Sequence, residues 1–225
     1  MKYSLLSFAL LAANLSVAQA VTNNSGTYTS ITIYDPFQIG YNDVSGSPFI
    51  PEKGFATGYV TVGGTTPQKL KARYNTEAGQ LEYLEKSKVL RMTTPVNEFR
   101  MVVNEGDTLL FRTGYSGKGE LAKPLYCHVV YESKKATLIR SIISVIKKDE
   151  DPMSADFGKK RFVQREQSYL VVAKEITSVT PSKSSVLAAF PADQREAFTA
   201  VLNKQSGKLK TWADVKKVLT EYDHN

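Results

Sequence analysis

The sequence predicts a mainly β protein: an antiparallel meander, folded as a sandwich or partly open barrel, with a C-terminal pair of short α-helices. Three observations predict it. From Phe55 to about Thr180, short stretches of alternating apolar and polar residues recur between glycine- and proline-marked turns. β-Branched and aromatic residues fill those stretches, as in Ser168–Lys174 (SYLVVAK). After Pro181 the apolar spacing lengthens to that of a helix face.

In chain order, Met1–Ala20 reads as a secretory signal peptide. Lys2 is its only charge, and Leu5–Ala13 (LLSFALLAA) is an apolar run too short to span a bilayer. Ala18-Gln19-Ala20 places small side chains at the two positions a signal peptidase reads, with cleavage after Ala20. Residues 21–45 form an N-terminal extension, polar at first (TNNSGTYTS) and then aromatic (IYDPFQIGY), with Thr27–Ile33 as an edge strand.

Ser45-Gly46-Ser47-Pro48 turns the chain into a β domain at residues 46–180. Phe55–Val62 is a strand that ends at Gly63-Gly64-Thr65-Thr66-Pro67. Lys69–Asn75 places Leu70, Ala72 and Tyr74 on one face and Lys69, Lys71 and Arg73 on a wet one. Gly79 turns it into the returning strand Gln80–Glu85. Lys88–Met92, Val96–Val103 and Asp107–Arg112 continue the series, broken at Pro95 and Gly106, and Gly114–Lys123 is a loop. Pro124–Glu132 alternates strictly. Ala136–Ile146 fits a helix at Leu138, Ile142 and Val145, yet its isoleucine density favours strand, and it is read as strand. Lys147–Arg161 is a charged loop, Arg161–Lys174 a hairpin, and Ile176–Val179 its continuation.

Residues 181–225 are the helical segment. Ser182–Ala189 fits a short helix, and Pro191 suits the start of the next, where a missing N–H costs nothing. Ala197, Phe198, Val201 and Leu202 form its apolar stripe, and Gly207 stops it. Thr211, with Asp214 three residues on, caps a last helix whose stripe is Trp212, Val215, Val218 and Leu219. Each stripe must bury itself on the other or on the sheet.

The chain has 225 residues, a net charge of +7, two histidines and one cysteine. A single thiol excludes an internal disulfide framework and a cysteine-based zinc cluster. Hydrolase, zincin, P-loop and dinucleotide motifs are absent from the sequence, and no cofactor is expected. Cys127 and His128 are neighbours, but on a strand they diverge to opposite faces, which argues against a thiol–imidazole dyad. His224 lies at a fraying end. Asp149, Glu150, Asp151 and Asp156 lack calcium-loop spacing and are flanked by Lys147, Lys148, Lys159 and Lys160, so they read as a solvated loop. Lys69, Lys71 and Arg73 make one basic stripe, and Lys159, Lys160, Arg161 and Arg165 another. Neither matches a nucleic-acid motif, and export argues against that partner.

Gly46-Ser47-Pro48-Phe49, Phe55-x-x-Gly58-Tyr59-Val60, Leu70-x-x-Arg73-Tyr74-Asn75 and Gln80-Leu81-Glu82-Tyr83 follow one another in order. This pattern resembles a family of uncharacterised exported proteins of Bacteroidetes-type bacteria, which often end in two amphipathic helices. Ala72 stands where leucine is usual and Tyr83 where phenylalanine is usual. The resemblance implies an envelope or secreted role and brings no catalytic residues. Physically the motif reads as hairpin architecture: Arg73 and Glu82 pair across strands and Tyr74 fills the core. Arg73, Tyr74 and Glu82 are also the candidate ligand-binding residues.

The expected function is a non-enzymatic, exported cell-envelope protein, periplasmic or extracellular, that binds a partner or organises the surface. Its partner would be an envelope protein or an anionic glycolipid, and no transmembrane segment is expected in the mature chain. The alternatives are a small-molecule or lipid carrier with a cavity in the β domain, and a hydrolase using Asp/Glu carboxylates.

Overall fold

A computed structural model describes residues 19–23, 26–32, 41–61, 66–93, 96–104, 106–115, 117, 121, 126–205 and 209–224. Residues 1–18 of the predicted leader, the aromatic run at 33–40, the Gly63-Gly64 turn, Pro95, most of the Gly114–Lys123 loop, Pro124 and Gly207 lie outside the described residues.

The strands are β1 (Gln19–Asn23), β2 (Gly26–Thr32), β3 (Val44–Ser45), β4 (Phe49–Ile50), β5 (Ala56–Thr61), β6 (Gln68–Asn75) and β7 (Gln80–Glu85). They continue with β8 (Lys88–Met92), β9 (Glu98–Asn104), β10 (Asp107–Arg112), β11 (Cys127–Glu132), β12 (Thr137–Lys148), β13 (Lys160–Val172) and β14 (Glu175–Val179). Three helices follow, α1 (Lys183–Ala188), α2 (Ala192–Lys204) and α3 (Trp212–His224). The protein is therefore mainly β with a helical C-terminal segment, as its patterning predicts.

Twelve strands lie on one open path, β1-β2-β8-β7-β6-β5-β9-β10-β11-β12-β13-β14. Every pairing along it is antiparallel. Short β4 joins β6 antiparallel, and short β3 joins β13 in parallel, which makes the sheet mixed. Two meanders, β5–β8 and β9–β14, meet where β5 pairs with β9. The sheet curls strongly: the Ser144 amide on β12 donates to the carbonyl of Thr76, just past β6, at 3.3 Å, and their hydroxyls lie 2.7 Å apart.

The curl encloses one core. Ala56, Val60, Ala72, Tyr74, Leu81, Phe99, Met101, Phe111, Tyr126 and Ile142 share it. A second core lies under the helices. Phe198, Val201, Leu202, Val215, Val218, Leu219 and Tyr222 pack on Ala136, Leu138, Leu170, Val172 and Val179 of the sheet. The helical stripes thus bury themselves on each other and on the sheet together. Thr211 and Asp214 cap α3 reciprocally: Thr211 Oγ1 accepts the Asp214 amide at 3.2 Å, and Asp214 Oδ2 accepts the Thr211 amide at 2.9 Å.

Several elements differ in detail from the patterning. The short helix expected at Ser182–Ala189 forms as α1, capped by Ser182, which accepts the Ser185 amide. Ala197 is exposed, so the buried stripe of α2 is Phe198, Val201 and Leu202. The predicted edge strand is β2, which lies inside β1 and pairs with β8. β1 starts at Gln19, so cleavage after Ala20 would remove its first two residues. The predicted Arg161–Lys174 hairpin is one long strand, β13, flanked by β12 and β14. Its turn falls at Ala173 and Lys174, both at positive φ without glycine or asparagine to mark them. Lys86 and Ser87 turn β7 into β8 in the same way.

Candidate functional site

The outer face of β6 alternates as expected at its start, with Lys69 and Lys71 exposed, and then ceases to be wet. Arg73 is 3% exposed and Glu82, directly opposite on β7, 1%. Arg73 Nε donates to Glu82 Oε2 at 2.8 Å, and Nη2 approaches the same oxygen at 2.7 Å. The guanidinium also lies 3.8 Å from the centre of the Phe49 ring and 4.6 Å from that of Phe55. β4 sets Phe49 there by pairing it with Asn75, on the same face as Arg73. The predicted wet stripe stops at Lys71 because two aromatic rings roof its third member.

Tyr74 points the other way. It is fully buried in the curl, with ring centres 5.6 Å from Phe99, 5.2 Å from Phe111 and 5.7 Å from Tyr126. Burial raises its hydroxyl pKa far above the ordinary tyrosine value. Arg73 and Glu82 are therefore brought together, and Tyr74 is separated from them by the sheet itself. The two charges compensate one another at close range inside the protein, so the geometry is that of an internal brace.

Cys127 and His128 diverge as their strand positions require. Cys127 packs with Leu121, Val129, Ile139 and Tyr169, where burial pushes its thiol up to about 12. His128 lies on the opposite face, 5.6 Å from the Phe111 ring. Burial, and then the nearby Arg140 cation, push its imidazole down to about 4. The described residues hold no group of three or more His, Cys, Asp or Glu side chains placed to grip a metal ion.

A second surface lies farther along the outer face. Tyr59, Thr61, Pro67, Glu98, Arg100, Val102 and Thr108 line a groove of about 360 Å³. β5 and β9 create it by setting Tyr59 opposite Arg100 and Thr61 opposite Glu98. Tyr59 is 37% exposed, and the Arg100 side chain 57%. Glu98 is held firmly by Arg112, at 3.0 Å and 3.2 Å, and only loosely by Arg100, at 3.7 Å. Arg112 also bridges to Glu132. The groove thus presents an aromatic face and a guanidinium whose local carboxylate is committed elsewhere. The available signal was Tyr59 itself, an aromatic residue at an outward position of an alternating strand.

Comparison with protein-family models, with curated proteins and with solved structures finds no match to this chain.

Proposed function

We propose that the chain is an exported cell-envelope protein that works by binding, with the Tyr59–Arg100 groove as its contact surface. The partner is an envelope protein or an anionic glycolipid. The observation that carries this reading is the groove: an exposed tyrosine and an exposed arginine held at fixed spacing on a paired sheet face. Tyrosine offers a large, rigid contact area at small entropic cost, and arginine a planar fork suited to acidic groups. The leader pattern at Met1–Ala20 and the likeness to exported Bacteroidetes-type proteins support the location. Among the described residues no helix is long and apolar enough to cross a membrane.

The packing favours this reading over a carrier. The interior of the curl, where a carried molecule would sit, is occupied by Tyr74, Phe99, Phe111 and Tyr126, whose ring centres lie 4.9–5.7 Å apart.

The test is a pull-down from envelope extract at low and high salt, with cell fractionation to locate the protein. Recovery of one specific component by the wild type and not by Y59A/R100A supports the reading. Equal recovery by both proteins contradicts it. So does turnover of an envelope substrate that is abolished by changing one polar side chain.

A further inference from the structure

The Tyr59–Arg100 groove holds an incomplete hydrogen-bond pair. Arg112 Nε and Nη2 both donate to Glu98 Oε2, at 3.2 Å and 3.0 Å. Glu98 Oε1 accepts no hydrogen bond among the described residues. Arg100 Nη2 faces that oxygen at 3.7 Å, beyond hydrogen-bond range, and its guanidinium has no other polar partner among the described residues. An acceptor that cannot donate thus stands beside a donor that cannot accept. The β5–β9 register sets Tyr59 opposite Arg100 and Thr61 opposite Glu98, and Thr108 adds a second hydroxyl to the lining.

A ligand that completes this pair must accept from Arg100 and donate to Glu98. Hydroxyl groups do both. An ionised carboxylate or phosphate would meet Arg100 but has no proton for Glu98 Oε1 and is repelled by it, and an acyl chain satisfies neither group. Charge alone singles out no ligand here. Lys69, Lys71, Arg100 and Arg112 only modestly outnumber Glu98, Glu132 and the exposed Asp107 beside Thr108. Tyr59 narrows the choice further. The face of its ring is partly negative and packs well against C–H groups, so it favours hydroxyls carried on a compact ring with a C–H face. A sugar has both features. The groove, about 360 Å³, lies at the lower end of the small-ligand range. A protein partner would need a far wider contact, about 800 Å² on each side.

We propose that this groove binds a saccharide ring of an envelope glycan. Hydroxyls of the sugar bridge Arg100 Nη2 and Glu98 Oε1, and its C–H face packs on Tyr59. Thr61 and Thr108 bond the remaining hydroxyls. Arg112 is the positioning residue: by holding Glu98 through Oε2 alone, it leaves Oε1 for the ligand. The proposal rests on the reading of the groove as the contact surface, and it selects a sugar over a protein or a bare anionic group as the occupant.

The experiment is binding of the purified protein to an array of neutral and acidic bacterial oligosaccharides, followed by titration of the tightest-binding neutral member. The wild type should bind neutral sugars with little dependence on salt, since hydroxyl contacts rather than ion pairs hold them. Y59L keeps an apolar side chain but removes the ring face, and R100A removes the donor. Each should weaken binding about tenfold. Proton resonances of the sugar C–H groups should shift upfield on binding to the wild type and not to Y59L. Both substituted side chains are substantially exposed, and an unchanged denaturation midpoint checks that the variants fold. No binding by the wild type, binding confined to acidic sugars and lost in salt, or full binding by Y59L and R100A would overturn the proposal. If no sugar binds while Y59A/R100A still loses a specific protein in the envelope pull-down, the saccharide falls and the contact-surface reading stands.

Discussion

Arg73 on β6 and Glu82 on β7 stand directly opposite one another and form a closed ion pair, 2.7 Å apart and almost wholly removed from water. Phe49 and Phe55 lie over the guanidinium, so the pair is sealed as well as buried. Removing one partner strands a buried charge, whereas removing both leaves an apolar gap. Glu82→Gln should therefore destabilise the protein by about 3–5 kcal/mol, and R73M/E82L by much less. Urea denaturation of the three proteins measures the difference. Equal losses in both variants would show that the pair is not a coupled unit.

His128 gives the folded protein a pH dependence of known sign. Its pKa falls from 6.5 to about 4 on folding. Well above pH 6.5 the imidazole is neutral in both states and contributes nothing to the slope. As the pH falls from 6.5 to about 4, the unfolded chain takes up a proton that the folded chain refuses. Stability therefore declines across that window by up to about 3 kcal/mol. Measured against the wild type, His128→Asn should show a shallower decline over the same range, and an identical decline would remove the histidine as its cause.

Cys127 should be chemically silent in the folded state. Burial raises its pKa to about 12, leaving almost no thiolate at neutral pH. Labelling by an aromatic disulfide reagent should proceed at the rate of unfolding and become rapid in denaturant. Rapid labelling of the native protein would contradict the buried placement.

Gly58 sits where β5 passes β6, and a Cβ built there would meet the Ala72 Cβ at 2.9 Å. Both residues are buried, and backbone carries each of them, so neither can swing aside. Gly58→Ala should cost about 1–3 kcal/mol, read as a lowered denaturation midpoint.

These residues also show what the sequence made legible. Arg73 facing Glu82, Tyr74 in the core and Cys127 diverging from His128 all follow from two-residue periodicity plus the Gly79 turn, which sets the register. The same periodicity could not foresee that Arg73 is buried, because its roof comes from Phe49 and Phe55, distant in sequence. It missed the turn at Ala173-Lys174, since those residues carry no local preference for positive φ and adopt it because the strands on either side pair. The groove was hidden for a similar reason: Tyr59 and Arg100 become neighbours only through the β5–β9 pairing that joins the two meanders.

The Arg73–Glu82 pair is a buried brace, and the Tyr59–Arg100 groove is the proposed contact surface. The most direct test is calorimetric titration of the component recovered from envelope extract into wild-type protein and Y59A/R100A. Both substituted side chains are substantially exposed, so the variant should keep its stability within about 0.5 kcal/mol. Y59A/R100A should lose affinity by about tenfold or more. Unchanged affinity in a stably folded Y59A/R100A protein would contradict this role for the groove.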